Sequence, residues 1–137
     1  MYYIFMDGQL LHNPSEDGRI VLDPIAETSM GGAGTCTFKV PVTNPLYDKI
    51  SKLKSVIRVY RDTENIWSGR VLDEDDDWNR SRSITAEGDL GFFNDSYLPP
   101  MSEDYTLPQY LNWIVTQHNA QVDDFKQFVV GNITVDY

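Results

Sequence analysis

Residues 55–90, SVIRVYRDTENIWSGRVLDEDDDWNRSRSITAEGDL, decide the fold. Val56 to Arg61 is β-branched and aromatic, and the DTEN that follows at 62–65 is turn chemistry. The pattern predicts a hairpin whose second strand runs from Ile66 to about Asp76. SRSITAEGDL then comes straight back as a third strand, with Ile84, Ala86 and Gly88 on one side and Thr85 and Glu87 on the other. Three antiparallel strands in succession make a meander. Its edges need protection, by closure into a small barrel or by packing on another sheet.

The run Asp73 to Asp77, DEDDD, lies where the second strand gives way to the third. As a calcium loop it fails on spacing, because an EF-hand needs glycine at its sixth position and a bidentate glutamate at its twelfth. Counted from Asp73, those positions hold Trp78 and Ile84. As a hairpin tip the run is intelligible. With reversal about Trp78 and Asn79, Asp77 is expected opposite Arg80, Asp75 opposite Arg82 and Asp73 opposite Ile84. Opposite charges across an antiparallel pair contribute ~0.2–1 kcal/mol each and help to set register. A paired-carboxylate catalytic site needs one acid in a desolvated pocket, which five acids at a turn do not create.

The chain of 137 residues is 41% apolar and 12% aromatic, enough for a globular core in spite of a net charge of −10. Its eleven Lys and Arg are scattered, which argues against nucleic-acid recognition and against anionic membrane surfaces. The opening MYYIFMDGQLLHNP has no basic region and no small-residue cleavage site, so no signal peptide is expected. No run approaches the roughly 20 apolar residues of a spanning helix. Cys36 is the single cysteine, so an intrachain disulfide is excluded, a cysteine-based zinc site is disfavoured, and a small apolar core residue is expected.

Upstream of the meander, MGGAG at 30–34 reads as a turn or bulge; the Lys and Ser/Thr of a phosphate loop are missing and a strand pattern follows. Cys36, Phe38, Val40 and Val42 alternate with Thr35, Thr37, Lys39 and Pro41, a half-buried strand whose Pro41 end lies at an edge. Leu46, Ile50 and Leu53 predict a short helix or single turn. Downstream, SYLPPMSEDYTLPQ is a proline-bearing linker into a helix. Thr106 and Gln109 stand in the capping-box relation, and Pro108 sits in the first turn. Tyr110, Leu111, Ile114, Val115 and His118 form the stripe, with Trp113 at its margin and an end near Asn119. FKQFVVGNITVDY at 125–137 reads as two short strands about Gly131 and Asn132.

The predicted class is therefore α+β, mainly β. A small antiparallel β-barrel or meander domain occupies 1–98, and a linker, helix and short hairpin occupy 99–137, opening a second domain of a longer protein.

No residue is assigned a catalytic, cofactor-binding or metal-ligating role. His12, in the loop signal LLHNPSED, and His118, near a helix C-terminus, are the only histidines. Neither is accompanied by a nucleophile-elbow sequence or a partner histidine at metal spacing, so local structural roles are expected. Trp67, Trp78 and Trp113 could line a saccharide platform, but a strand, a turn and a helix do not by themselves place three rings on one face. Core or interface packing is the expectation.

Five segments carry a resemblance. They are NPLYDKI at 44–50, VIRVYRD at 56–62, IWSGRV at 66–71, TAEGDLGFFNDS at 85–96, and a helix ending in HN at 118–119 ahead of FVVGNITV at 128–135. In this order they resemble the N-terminal region of phage and prophage tail-tip proteins, the tail-associated or prophage endopeptidase tail family, over roughly residues 35–137. The resemblance implies a baseplate-hub-like β-barrel domain that forms a trimeric ring at the end of the tail tube. It would contact the distal tail ring protein and other tail proteins, in a virion assembled in the bacterial host cytoplasm. Members of that family are usually much longer, so a truncated piece or a remnant gene is expected. None of the matched residues is catalytic in character, and no enzyme activity and no cofactor are expected. Two other classes predict different behaviour: a cell-wall carbohydrate-binding module needs coplanar aromatics, and a fragment of a peptidoglycan-degrading tail enzyme needs a pocket with a convergent acid, base or nucleophile.

Overall fold

The computed structural model describes residues 1–134. The chain divides into two units, Met1–Gly91 and Phe92–Tyr137. The first is one antiparallel sheet of seven strands: β1 (Tyr2–Met6), β2 (Gln9–His12), β3 (Leu22–Glu27), β4 (Thr35–Pro41), β5 (Val56–Arg61), β6 (Glu64–Asp77) and β7 (Ser81–Gly88). Their spatial order is β2-β1-β5-β6-β7-β4-β3. The expected meander is the centre of this sheet, and the class is α+β, mainly β.

The sheet curls into a half-barrel, and chain connectivity gives the reason. β2 and β3 are consecutive in sequence but lie at opposite edges. A flat seven-stranded sheet would separate those edges by about 29 Å. The connection cannot reach that far, because its middle is folded back, Asn13 N–H donating to the Arg19 carbonyl at 2.8 Å. Side chains then bridge the seam where no ladder forms. Val21 N–H donates to His12 Nδ1 at 3.1 Å, and Arg19 Nη1 donates to the Leu10 carbonyl at 2.5 Å. Asn44 Nδ2 donates to the carbonyls of Leu11, at 2.8 Å, and Ile20, at 3.3 Å.

The inner face is filled by alternate residues of every long strand. Ile4, Met6, Cys36, Phe38, Val40, Ile57, Val59, Trp67, Val71, Ile84 and Ala86 form one buried cluster with Leu11, Val21, Leu46 and Ile50. Each fully buried Leu, Ile or Phe contributes on the order of 1.5–3 kcal/mol. Cys36 belongs to this core as expected. Leu46 and Ile50 reach it from a single 3-10 turn, Tyr47–Lys49, while Leu53 is exposed. At the Pro41 end β4 runs past its partner β3, whose pairing stops at Lys39, so that end is locally an edge.

Three N-terminal strands were not legible in the same way. The β1–β2 hairpin turns on Asp7 and Gly8, both at positive φ (50° and 78°), which is the Asp-Gly signal of a tight hairpin. β3 reads poorly because all six of its residues are exposed and it contains Pro24. The segment 30–34 is the β3–β4 turn, with Gly34 at φ 72°.

The second unit holds α1 (Leu107–Asn119), with Thr106 before it. Gln109 Oε1 accepts from the Thr106 N–H at 2.9 Å and from its hydroxyl at 3.1 Å, and Pro108 sits in the first turn as expected. The predicted terminal hairpin is corrected. Residues 127–134 carry no strand pairing, and the end of the proposed second strand, 135–137, lies outside the described residues. The physical reason is visible at Phe128, whose N–H donates to Asn119 Oδ1 at 2.9 Å and whose carbonyl accepts from Asn119 Nδ2 at 2.8 Å. A side-chain amide takes the place of a strand partner.

Candidate functional site

The long β6–β7 hairpin carries the acidic run, and its register differs by one residue from the expectation. Asp77 faces Ser81, Asp76 faces Arg82, Asp75 faces Ser83, Glu74 faces Ile84 and Asp73 faces Thr85. The turn has three residues, 78–80, not two, because Arg80 adopts φ 61° and its N–H closes on the Asp77 carbonyl at 3.1 Å. Arg80 is thus a turn residue and not a cross-strand partner of Asp77.

The acids are split between the two faces of the hairpin. A bulge at Leu72 puts Glu74 and Asp76 in line with Ile84 and Arg82, and Asp73, Asp75 and Asp77 in line with Thr85, Ser83 and Ser81. Arg82 Nε binds Asp76 at 2.8 Å, with Glu74 at 3.8 Å, and its guanidinium lies 4.7 Å from the centre of the Tyr47 ring. Lys52 binds Asp73 at 2.6 Å and Lys39 approaches Asp77 at 3.4 Å. Those contacts hold the Asp73 and Asp77 carboxyls below their ordinary range, chiefly through the hydrogen bonds from Lys52 and Lys39. Among the described residues no group of three or more His, Cys, Asp or Glu is placed to hold a metal. Trp78 stands at the tip, 98% exposed.

Where the same two strands approach the rest of the sheet, glycine and charge are interleaved. Gly69 faces Gly88 and Arg70 faces Glu87. A Cβ at Gly69 would lie 2.0 Å from the Glu87 carbonyl oxygen, and one at Gly88 would lie 1.7 Å from that of Ala33. Only glycine lets the backbones come this close. Arg70 and Glu87 point the other way, yet their side chains are only 7% and 14% exposed. The GRV and EG segments are therefore one structural device, a close backbone crossing beside a buried ion pair.

Several grooves open on the half-barrel, and two have largely apolar linings. One, of about 620 Å³, lies at its mouth and is lined by Met1, Tyr2, Ile25, Ile66, His12 and Cys36 among others. His12 Nδ1 is committed to the Val21 N–H, and burial lowers the pKa of the ring. Burial also pushes the Cys36 thiol up to about 12, which keeps it protonated and unreactive. The other groove, of about 570 Å³, lies on the outer face of β1 and β5, where Tyr3, Phe5, Leu10 and Tyr60 meet Arg58 and Asp62. Phe5 and Tyr60 pack edge to face at 5.4 Å.

In the second unit His118 is completely buried. Its Nε2 donates to the Lys126 carbonyl at 3.0 Å, and Nδ1 meets Ser96 Oγ at 2.7 Å. Phe93 and Phe128 stack at 4.4 Å and flank the ring. The pair is a half-buried serine beside a buried histidine whose other nitrogen is held by a backbone carbonyl. Trp67 is buried in the core of the first unit and Trp78 stands at its hairpin tip, while Trp113 lies on α1 of the second unit beside Tyr105 and Tyr110. The aromatic face on β1 and β5 was missed because its residues are scattered over 3–60 in sequence and meet only through the β1–β5 pairing, which puts Tyr3 opposite Tyr60 and Phe5 opposite Arg58.

Among the described residues no helix is long and apolar enough to cross a membrane. No protein-family model, no curated protein and no solved structure matches the chain.

Proposed function

We propose that the chain is a structural subunit of a phage or prophage tail tip, a baseplate-hub-like component that helps to build a ring at the end of the tail tube and joins it to the tip. One observation carries the reading beyond the resemblance: the curled sheet leaves apolar side chains outside its core where a neighbouring subunit could cover them. Tyr2, Ile25 and Ile66 at the mouth and Trp78 at the hairpin tip are exposed by 55%, 55%, 36% and 98%. Such surfaces fit assembly, since apolar area left open in contiguous patches is commonly an interaction site. The segments behind the resemblance also have structural work here. Asn44 bridges the seam, Gly69 and Gly88 permit the crossing, and Asn119 anchors 128.

On this reading the partners are further copies of the chain and the distal tail ring protein, in a virion. The enzyme alternative would rest on Ser96 and His118, of which His118 is buried and holds the Lys126 carbonyl with its Nε2. The carbohydrate-module alternative loses Trp67 from its platform, because that ring is buried in the core. The test is co-expression with a distal tail ring protein from a phage genome, followed by size-exclusion chromatography with light scattering. A complex of fixed stoichiometry is expected. Absence of any complex, together with turnover of peptidoglycan or affinity for its saccharides, overturns the reading.

A further inference from the structure

We infer that His12 latches the seam between β2 and β3, and that protonation of its ring releases the latch, so that the seam parts at the mouth groove while the laddered sheet stays folded. The inference does not depend on the tail-tip reading.

The other strand pairs of the sheet are held by backbone ladders, but β2 and β3 meet through side chains, those of His12, Arg19 and Asn44. Arg19 and Asn44 donate to backbone carbonyls, and a guanidinium and an amide keep their donors in acid. His12 accepts instead: its Nδ1 takes the Val21 N–H at 3.1 Å. An imidazole nitrogen accepts only while it carries no proton. Of the three bridges, His12 is therefore the one that a proton cancels. Val21 is 3% exposed, so its N–H would be left buried and unpaired, a costly state that parting the strands relieves by admitting water. His12 also lines the mouth groove, whereas Arg19 and Asn44 do not. Release thus acts at the groove, with the other two bridges still in place.

The surroundings of the ring leave it to titrate by itself. In the groove, β1 brings Tyr2 and Ile4, β4 brings Cys36, and β5 and β6 bring Val59 and Ile66. The thiol of Cys36 stays protonated up to about 12. The ammonium of Met1, at the same mouth, is taken by Asp62 at 2.5 Å. The connection and β3 carry Glu16, Asp17, Arg19 and Asp23, and Glu16 pairs with Arg19 at 2.8 Å. The lowered pKa of His12 has burial as its cause and no neighbouring charge. Water reaching the ring through a parted seam removes that penalty, so the parted form takes up a proton more readily than the closed one. By linkage, acid then favours the parted form.

Amide hydrogen exchange of the whole chain, followed by nuclear magnetic resonance from above the ordinary 6.5 downward, tests this. The carbon-bound ring proton of His12 reports its titration in the same samples, and each exchange rate is divided into the unstructured rate at that pH to give a protection factor. As the ring titrates, protection of the Val21 amide is expected to fall at least about fivefold, the order that follows from losing one neutral hydrogen bond. The amides of Val59 and Ile84, inside the ladders, are expected to hold theirs. In His12→Asn, protection at Val21 is expected to be flat over the same range. Val21 protection that stays constant through the His12 titration overturns the latch. Loss at Val59 and Ile84 in step with Val21 overturns it too, because the response is then unfolding of the whole sheet. An unaltered acid response in His12→Asn assigns the effect to another group and overturns it as well. Should that variant not fold, the wild-type comparison of Val21 with Val59 and Ile84 still decides.

Discussion

Arg70 and Glu87 stand directly opposite each other on β6 and β7, with Nε and Nη2 of the guanidinium both on Glu87 Oε1, at 2.8 and 2.7 Å. They are flanked by the Gly69–Gly88 crossing, and Gly91 closes over the acid: a Cβ there would lie 2.6 Å from the Glu87 carboxyl carbon. Removing one partner of a buried pair leaves an uncompensated charge, whereas replacing both with apolar residues often costs little. Arg70→Met, which leaves the Glu87 carboxylate behind, is expected to lower the unfolding free energy by about 3 kcal/mol. The double change of Arg70→Met with Glu87→Leu should be milder than that single one. Urea denaturation of the three proteins checks this, and a double variant less stable than Arg70→Met would contradict it.

The crossing itself makes a sharper prediction. Gly88→Ala places a methyl group into the Ala33 carbonyl, and a strand must shift to admit it. A loss of at least about 3 kcal/mol is expected, at the upper end of overpacking. Gly31→Ala, with nothing within 4 Å of its Cβ, should be close to neutral. Thermal melts of the two variants compare them directly.

The acidic run should behave as a hairpin and not as a metal site. Asp75→Asn is expected to leave the denaturation midpoint unchanged. Asp73→Asn and Asp77→Asn remove carboxyls that Lys52 and Lys39 hold below their ordinary range. Their contribution is complete above the ordinary carboxyl value of 3.8 and is lost as pH falls through the lower folded values. The deficit of these variants should therefore be present at neutral pH and disappear in strong acid. Calcium added to the wild type should shift none of the hairpin amide resonances; a shift at Asp75 and Asp77 would reinstate the metal reading.

His12 links the seam to pH with the opposite type of group. Burial holds its pKa below the ordinary 6.5, so the unfolded chain takes up a proton first as pH falls. Stability from this residue is complete above the ordinary value and declines as pH drops toward the folded one. His12→Asn retains an acceptor for the Val21 N–H and does not titrate. The stability difference between wild type and variant should change in the variant's favour as pH falls below the ordinary 6.5. Parallel pH profiles would remove His12 from the seam's acid response.

Cys36 should react with an aromatic disulfide reagent only through unfolding. Its thiol is buried and its pKa is about 12. Labelling near pH 8 should therefore follow the opening of the sheet and speed up in denaturant. Rapid labelling of the native protein would show access from the mouth groove.

Much of this molecule was legible along the chain, where the controlling interactions are local. The turn after Arg61, tighter than expected because β6 already begins at Glu64, the alternation from Cys36 to Val40 though not on to the exposed Val42, the Thr106 and Gln109 start and the Asn119 end of the helix are each set by residues a few positions apart. The hairpin register was misread because Arg80 was assigned a charge-pairing role, while backbone geometry uses it at positive φ to make a three-residue turn. The terminal hairpin was misread because a turn signal was weighed without the Asn119 amide that satisfies Phe128. The aromatic face at Tyr3, Phe5 and Tyr60 had no local signature.

The sequence by itself determined that this chain builds antiparallel strands around an apolar core, places an acidic hairpin among them and follows with a capped helix. Periodicity, turn chemistry and capping act within a few residues, so they can be read in one dimension. Only the tertiary structure decided that the meander lies at the centre of seven strands and that consecutive β2 and β3 become opposite edges. It also decided that Asn44 and His12 bridge the seam and that Gly69, Arg70, Glu87 and Gly88 form one crossing. Those outcomes depend on which strand edges meet and on how closely two backbones pass. These are properties of distances between residues far apart in the chain, and hydrophobic patterning does not encode them.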